Sequence, residues 1–146
     1  MEIEDSIRFQ HYRTIRQIAA DFAQPVGMER SCRVFWGRTG TYKSTRAWQE
    51  AGVDVYGKDP RTKFWCGYRG QENVVIDEFR GAIDISHLLR WLDRFPVHLE
   101  IKGSSVPCMV KRYWITSNLN PLYWYADLDT ETKEALFRRM EIIEFE

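Results

Sequence analysis

The sequence predicts an α/β domain built on a mostly parallel central sheet. Short apolar runs at residues 32–36, 73–79, 113–116 and 142–145 alternate with helical periods along most of the chain. A loop carrying Gly37 and Gly40 joins the first of these runs directly to a helical stretch. One segment, 97–110, breaks the alternation with the period-2 pattern of a hairpin.

Residues 3–23 read as a helix, with Ile3, Ile7, Ile15, Ile18 and Phe22 near one face. Pro25 and Gly27 stop it. It precedes the α/β unit and is either a packing helix on its flank or a collar against a neighbouring subunit. The expected division is therefore a helical segment, 1–28, and an α/β domain, 29–146. Within the latter, 32–36 is a buried strand and 43–51 a helix. Val53 to Tyr56 reads as a second strand, and 57–69 as a loop rich in charge and aromatics. The third strand is 73–79. Asp84 is placed to cap a helix that runs to Asp93, with Ile85, Leu88, Leu89 and Leu92 on one side. Val97, Leu99 and Ile101 alternate with His98, Glu100 and Lys102, Gly103-Ser104-Ser105 marks a turn, and 106–110 returns. The strand 113–116, a helix over 130–140 and a closing strand over 142–145 complete the chain.

At 146 residues the chain is long enough for one domain with a real core. Its 21 basic and 21 acidic residues cancel, so any attraction to nucleic acid is local rather than global. Cys32, Cys66 and Cys108 form no metal spacing and no disulfide set, as expected of buried thiols in a reducing compartment. No apolar run nears the roughly 18 residues of a membrane span, so no membrane contact is expected. Six tryptophans, seven tyrosines and eight phenylalanines are a heavy aromatic load, some for the core and some for stacking or assembly.

Gly37-Arg38-Thr39-Gly40-Thr41-Tyr42-Lys43-Ser44 lies between the first strand and the first helix. It matches the phosphate-loop pattern G-x-x-x-x-G-K-[ST], except that Tyr42 stands where the second glycine belongs. In such a loop Gly37, Gly40, Thr41, Lys43, Ser44 and Thr45 wrap nucleotide phosphates, helped by the positive end of the helix dipole. Lys43 neutralises phosphate oxygens, and the Ser44 hydroxyl binds Mg²⁺. Tyr42 is expected either to strain the backbone or to shift the loop, and so to weaken nucleotide binding.

Val74-Val75-Ile76-Asp77-Glu78 is an apolar strand ending in two acids. Asp77 would hold the Mg²⁺ shell, and Glu78 would deprotonate the attacking water. Such acids otherwise are solvated residues at a strand end. Tyr113 to Asn118 repeats the design with an amide at its end, either a γ-phosphate or water ligand or a cap before Pro121. Arg138 and Arg139 end the helix 130–140 and either suit its C-terminal dipole or act as an arginine finger.

This ordered set resembles the superfamily-3 helicase domain, and more narrowly the ATPase part of the replication-initiator (Rep) proteins of circoviruses and related small circular single-stranded DNA viruses. The local strings His11-Tyr12-Arg13-Thr14-Ile15-Arg16, Phe64-Trp65-Cys66-Gly67-Tyr68 and Asn120-Pro121-Leu122-Tyr123-Trp124-Tyr125 extend the resemblance over nearly the whole chain. It implies an AAA+-like fold and an N-terminal oligomerisation segment. It also implies a homo-oligomeric, hexameric ring on single-stranded DNA and ATP- and Mg²⁺-dependent 3′→5′ unwinding in the host nucleus. Lys102 at the hairpin tip corresponds to the lysine that contacts DNA in the channel, with His98 a second candidate. Arg138, before Arg139, corresponds to the finger, and Lys43, Glu78 and Asn118 complete the catalytic set. The metal-binding and nucleophile motifs of the family's nicking half are absent, since His11, His87 and His98 stand apart. The chain is therefore expected to be the C-terminal piece of a longer protein. Other readings are a domain that binds nucleotide without turnover because of Tyr42, and a P-loop ATPase with no DNA track.

Overall fold

The computed structural model describes residues 27–146. The expected helix over 3–23 lies outside the described residues. The elements in chain order are β1 (Ser31–Gly37), α1 (Lys43–Ala51), β2 (Val55–Lys58), β3 (Asn73–Ile76), α2 (Ile85–Leu92), β4 (His98–Ile101), β5 (Ser104–Pro107), β6 (Arg112–Ser117), α3 (Thr130–Phe137) and β7 (Glu141–Phe145). A single 3₁₀ turn, Pro121–Tyr123, follows β6.

Five strands form one parallel sheet in the order β2-β3-β6-β1-β7. The β4–β5 hairpin is antiparallel and forms a separate two-stranded sheet. Each central strand is apolar on both faces, as a covered parallel strand must be. On one face Val34, Val74, Ile76, Tyr113 and Ile115 join Leu88, Trp91, Leu99 and Leu136 in the main core. On the other, Phe35, Val75 and Trp114 pack against Ala47 and Ala51 of α1. The small alanines let α1 sit close to the sheet, so the loop that opens it is held over the ends of β1, β3 and β6.

Asp84 caps α2 as its sequence predicts, accepting from the Ser86 N–H at 2.9 Å. Asp129 does the same for α3 through the Thr132 N–H at 2.9 Å. Four elements have a boundary two or more residues from the sequence expectation. Strand β2 begins at Val55, not Val53, because Gly52 at φ 89° ends α1 and Val53–Asp54 are used in the bend. Strand β3 ends at Ile76, because Glu78 turns to φ 58°. Strand β5 is Ser104–Pro107 rather than 106–110, since Ile101 pairs with Ser104 across the two-residue turn Lys102-Gly103. Helix α3 stops at Phe137: the N–H groups of Arg139 and Met140 bond three residues back, to Leu136 and Phe137, and this tight turn delivers Met140 to the core.

The aromatic loop 57–69 is less of a loop than its composition suggests. Trp65 is fully buried. It stacks on Tyr56 at 5.4 Å and meets Tyr68 and Trp91 edge-on at 5.3 and 5.2 Å.

Candidate functional site

The parallel sheet brings the ends of β1, β3 and β6 to one edge, where open α/β sheets place their ligands. A cavity of about 270 Å³ opens there, lined by Gly40, Tyr42, Lys43, Ser44, Thr45, Glu78 and Asn118 among others. Gly37 and Thr41 support it from behind. A Cβ on Gly37 would sit 2.3 Å from the Phe145 carbonyl of the neighbouring strand, so only glycine fits where β1 turns into the loop. The Thr41 hydroxyl donates to the Arg38 carbonyl at 2.8 Å and closes the loop on itself.

Tyr42 adopts φ 63°, ψ 26°, the left-handed conformation that the missing glycine would have used. Of the two expected outcomes, strain or a shifted loop, the structure has the first. Helix α1 still starts at once, with the Arg46 N–H donating to the Tyr42 carbonyl at 3.0 Å. The ring points outward, 78 % exposed.

Lys43 is 7 % exposed, and its ammonium donates to the Arg38 carbonyl and to Asn118 Oδ1, both at 2.9 Å. Burial lowers its pKa from the usual lysine value, while Asp77 and Glu78 pull it back up. The Ser44 hydroxyl donates to Asp77 Oδ1 at 2.7 Å. Thus the three strand ends are already tied in pairs: loop to β6 through Lys43–Asn118, and α1 to β3 through Ser44–Asp77.

Thr116 is the site residue that sequence reasoning missed. It is 1 % exposed, a polar group in an apolar strand. Its hydroxyl donates to Asp77 Oδ1 at 2.5 Å and accepts from the Glu78 backbone N–H at 2.9 Å. The next bond, Phe79 N–H to the Thr116 carbonyl at 2.8 Å, locks the left-handed turn at Glu78. A lone threonine among buried apolar residues was itself the signal, because a buried hydroxyl needs a partner. Glu78 is exposed and also borders a second cleft of about 650 Å³, with Asp77, Arg80, Asp59 and Arg61.

Behind the loop, Glu50 of α1 accepts from Arg33 of β1, from Arg46 at 2.6 Å and from the Trp114 indole of β6 at 3.0 Å. Burial pushes its carboxyl up, but these donors hold it net below the usual carboxylate range. The network fixes the angle of α1, and with it the phosphate loop.

The remaining predicted residues lie elsewhere. Lys102 occupies the hairpin turn, and His98 and Lys102 share the exposed side of β4 with Glu100. Arg138 is exposed at the C-terminal end of α3. Arg139 is committed to Asp93 at 3.1 Å. Strand β7 starts level with Arg33 and reaches Gly37 only at Phe145. Arg138 precedes β7, so it sits at the sheet edge opposite its own phosphate loop, on the order of 13 Å or more away along the strands. Among the described residues, no group of three or more His, Cys, Asp or Glu is assembled for a metal, and no helix is long and apolar enough to cross a membrane.

Comparison with known proteins agrees with this architecture. A family model described as RNA helicase matches residues 33–119, more than half of the chain. The replication-associated protein of porcine circovirus 2 is 46 % identical over 113 residues, covering 77 % of this chain and 36 % of the relative. That of human associated cyclovirus 1 is 36 % identical over 141 residues, covering 91 % of this chain and 47 % of the relative. The chain thus spans between about a third and a half of the curated relatives it matches. Among solved structures, the S. cerevisiae Hsp104–ADP complex superimposes with a TM-score of 0.53 over 99 % of this chain and 37 % of that one, at 13 % identity. That likeness shows the fold, an AAA+-like α/β architecture. The expectation drawn from the motif order holds: the chain belongs to the family described as RNA helicase, as a superfamily-3 helicase domain of the circovirus-like replication-initiator type.

Proposed function

We propose that this domain hydrolyses ATP in a homo-oligomeric ring, a hexamer, and uses it to translocate on single-stranded DNA during rolling-circle replication in the host nucleus. The observation that carries the reading is the convergence of Lys43, Ser44, Asp77, Glu78 and Asn118 from three strand ends, joined by the Lys43–Asn118 and Ser44–Asp77 hydrogen bonds.

The residues fit a nucleotide with Mg²⁺. The Ser44 hydroxyl and Asp77 carboxylate form a pair of hard oxygen donors, and a magnesium ion needs only one or two such protein ligands beside phosphates and water. Mg²⁺, when bound, supplies charge neutralisation for the β- and γ-phosphates. The α1 N-terminus and the loop N–H groups receive phosphate oxygens. Lys43, now shared between Arg38 and Asn118, donates to the phosphates instead. Asn118 then orients the γ-phosphate or the lytic water, and Glu78 takes that water's proton. Arg138, at the far sheet edge, acts on the site of an adjoining subunit. The hairpin holds the DNA backbone through Lys102 at its tip, with His98 a second contact at the open end of β4. A nicking domain, carried in the part of the parent protein outside this chain, would start the replication that this motor extends.

A second reading, nucleotide binding with impaired turnover, rests on Tyr42 standing where the loop pattern has glycine. Steady-state ATPase assays with and without single-stranded DNA separate the two. The motor reading expects DNA-stimulated turnover and, for Glu78→Gln, retained ATP binding with turnover down at least ~10²-fold. Near-normal hydrolysis by Glu78→Gln would remove Glu78 from the mechanism, and nucleotide binding with no turnover in the wild type would favour the second reading.

A further inference from the structure

The larger cleft, about 650 Å³, adjoins the nucleotide cavity. Glu78 lines both, and Asp77, which accepts from Ser44 of the phosphate loop, lines the cleft beside it. Glu78 is one of two non-glycine residues with positive φ among those described, and the Thr116 hydroxyl holds its backbone N–H. This left-handed turn sets Glu78 on the border between the two spaces.

Three cations line the cleft, Lys58, Arg61 and Arg80. Two of them are engaged. Lys58 is 2 % exposed, and its ammonium donates to the Asp59 and Thr62 carbonyls. Arg61 pairs with Asp59 at 3.2 Å. Arg80, two residues beyond Glu78, is exposed, and among the described residues nothing is paired with it. The fork of donors on a guanidinium matches phosphate oxygens, so a free arginine on a cleft beside a phosphate site suits that anion.

Hydrolysis releases such an anion at this border. The water oxygen bonds to the γ-phosphorus, the bond from that phosphorus to the ADP oxygen breaks, and the water's proton passes to the Glu78 carboxylate. Before the step, the three cations of the cleft face three carboxylates, Asp59, Asp77 and Glu78. After it Glu78 is neutral. The cleft therefore gains positive charge at the moment an anion forms beside it, while ADP still fills the phosphate loop.

We propose that this cleft is the exit subsite for inorganic phosphate, and that Arg80 is the residue that receives it. The proposal rests on the reading of Glu78 as the base and extends it from cleavage to product release, a step that limits turnover in many enzymes.

The test titrates inorganic phosphate by calorimetry into the full chain saturated with ADP and Mg²⁺, so that the phosphate loop is filled. Wild type, Arg80→Ala, Arg80→Lys and Asn118→Ala are compared, each with its ADP affinity measured first. Arg80→Ala should weaken phosphate binding about 10- to 150-fold, the range for a lost hydrogen bond to a charged group. Arg80→Lys should fall between the two, because the charge stays and the fork is lost. In single turnovers of ATP, acid quenching reads cleavage and a fluorescent phosphate-binding protein reads release. The delay between the two should lengthen severalfold in Arg80→Ala. Cleavage slowed as much as release would mean that Arg80 acts on the reaction itself, and overturns the proposal. Phosphate binding lost in Asn118→Ala but kept in Arg80→Ala would put the anion in the nucleotide cavity, and overturns it too. ATP cleavage by a wild type that binds no phosphate overturns the exit subsite alone. If wild type cleaves no ATP, the motor reading falls; phosphate still bound through Arg80 is then an adventitious ion only, and the exit subsite falls with it.

Discussion

The Thr116 hydroxyl donates a 2.5 Å hydrogen bond to Asp77 Oδ1 and accepts from the backbone of the very next residue, Glu78. One buried side chain on β6 thus aims both acids at the end of β3. Thr116→Val keeps the shape and removes the hydroxyl. It should lower stability by about 1–3 kcal/mol, the cost of leaving buried polar groups unpaired. Turnover should drop by up to ~10²-fold as Asp77 and Glu78 lose their alignment. Thr116→Ser should recover most of both. Urea denaturation and ATPase rates check this, and a Val variant equal to wild type would remove Thr116 from the site.

Tyr42 calls for a distinction between strain in the fold and strain in binding. Its left-handed conformation, φ 63°, is the one the missing glycine would have used, so the loop keeps its shape with tyrosine in place. The cost, about 1–2 kcal/mol for a residue with a Cβ, therefore belongs to stability rather than to affinity. Tyr42→Gly should leave ATP affinity within about threefold. Its melting temperature should rise modestly, because strain relief is partly offset by the entropy of an added glycine, about 0.5–1 kcal/mol. Calorimetric titration and thermal melting measure the two separately. A tenfold tightening of ATP binding would mean that the loop must rearrange to bind.

Lys58 makes stability depend on pH. Burial lowers its pKa to about 8, below the ordinary lysine value of 10.5. The unfolded chain therefore holds this proton more tightly than the folded one, so the Lys58 contribution to stability rises with pH between about 8 and 10.5. Buried Cys32, whose thiol pKa is raised from 9.0, works the other way above pH 9. The difference in stability between wild type and Lys58→Met cancels the Cys32 effect. That difference should shift in favour of wild type on going from pH 8 to pH 10 in urea titrations. A flat difference would show that the ammonium is no harder to keep charged in the fold than in water.

Much of this was legible in the chain itself, for physical reasons. Strands β1, β3 and β6 are covered on both faces, so each is a continuous apolar run, and Lys43–Ala51 starts directly after a glycine loop. Asp84 announced its helix because a cap is a local interaction. What local pattern could not carry was decided at a distance. Trp65 is buried by Tyr56 of β2 and Trp91 of α2 as well as by Tyr68 of its own segment, so its segment looked like an open loop. Thr116 gains its role only because β6 lies beside β3. Phe64 meets Lys102 only after the hairpin folds back. Val53 has strand propensity, but the left-handed Gly52 before it uses that stretch for a bend.

Arg138 is exposed at the sheet edge opposite its own phosphate loop, while its neighbour Arg139 is held by Asp93. If ATP is cleaved between subunits, Arg138→Ala chains retain a good phosphate loop and Lys43→Ala chains retain a good arginine. The decisive measurement is the ATPase rate of an equimolar mixture of the two, at a protein concentration where both assemble. Each variant alone should be nearly silent, since an arginine finger is worth about 10³–10⁵ in rate. The mixture should recover a readily measured fraction of wild-type turnover, because some interfaces combine an intact loop with an intact Arg138. A mixture no more active than either variant alone, with assembly verified by light scattering, would contradict hydrolysis completed by a neighbouring copy.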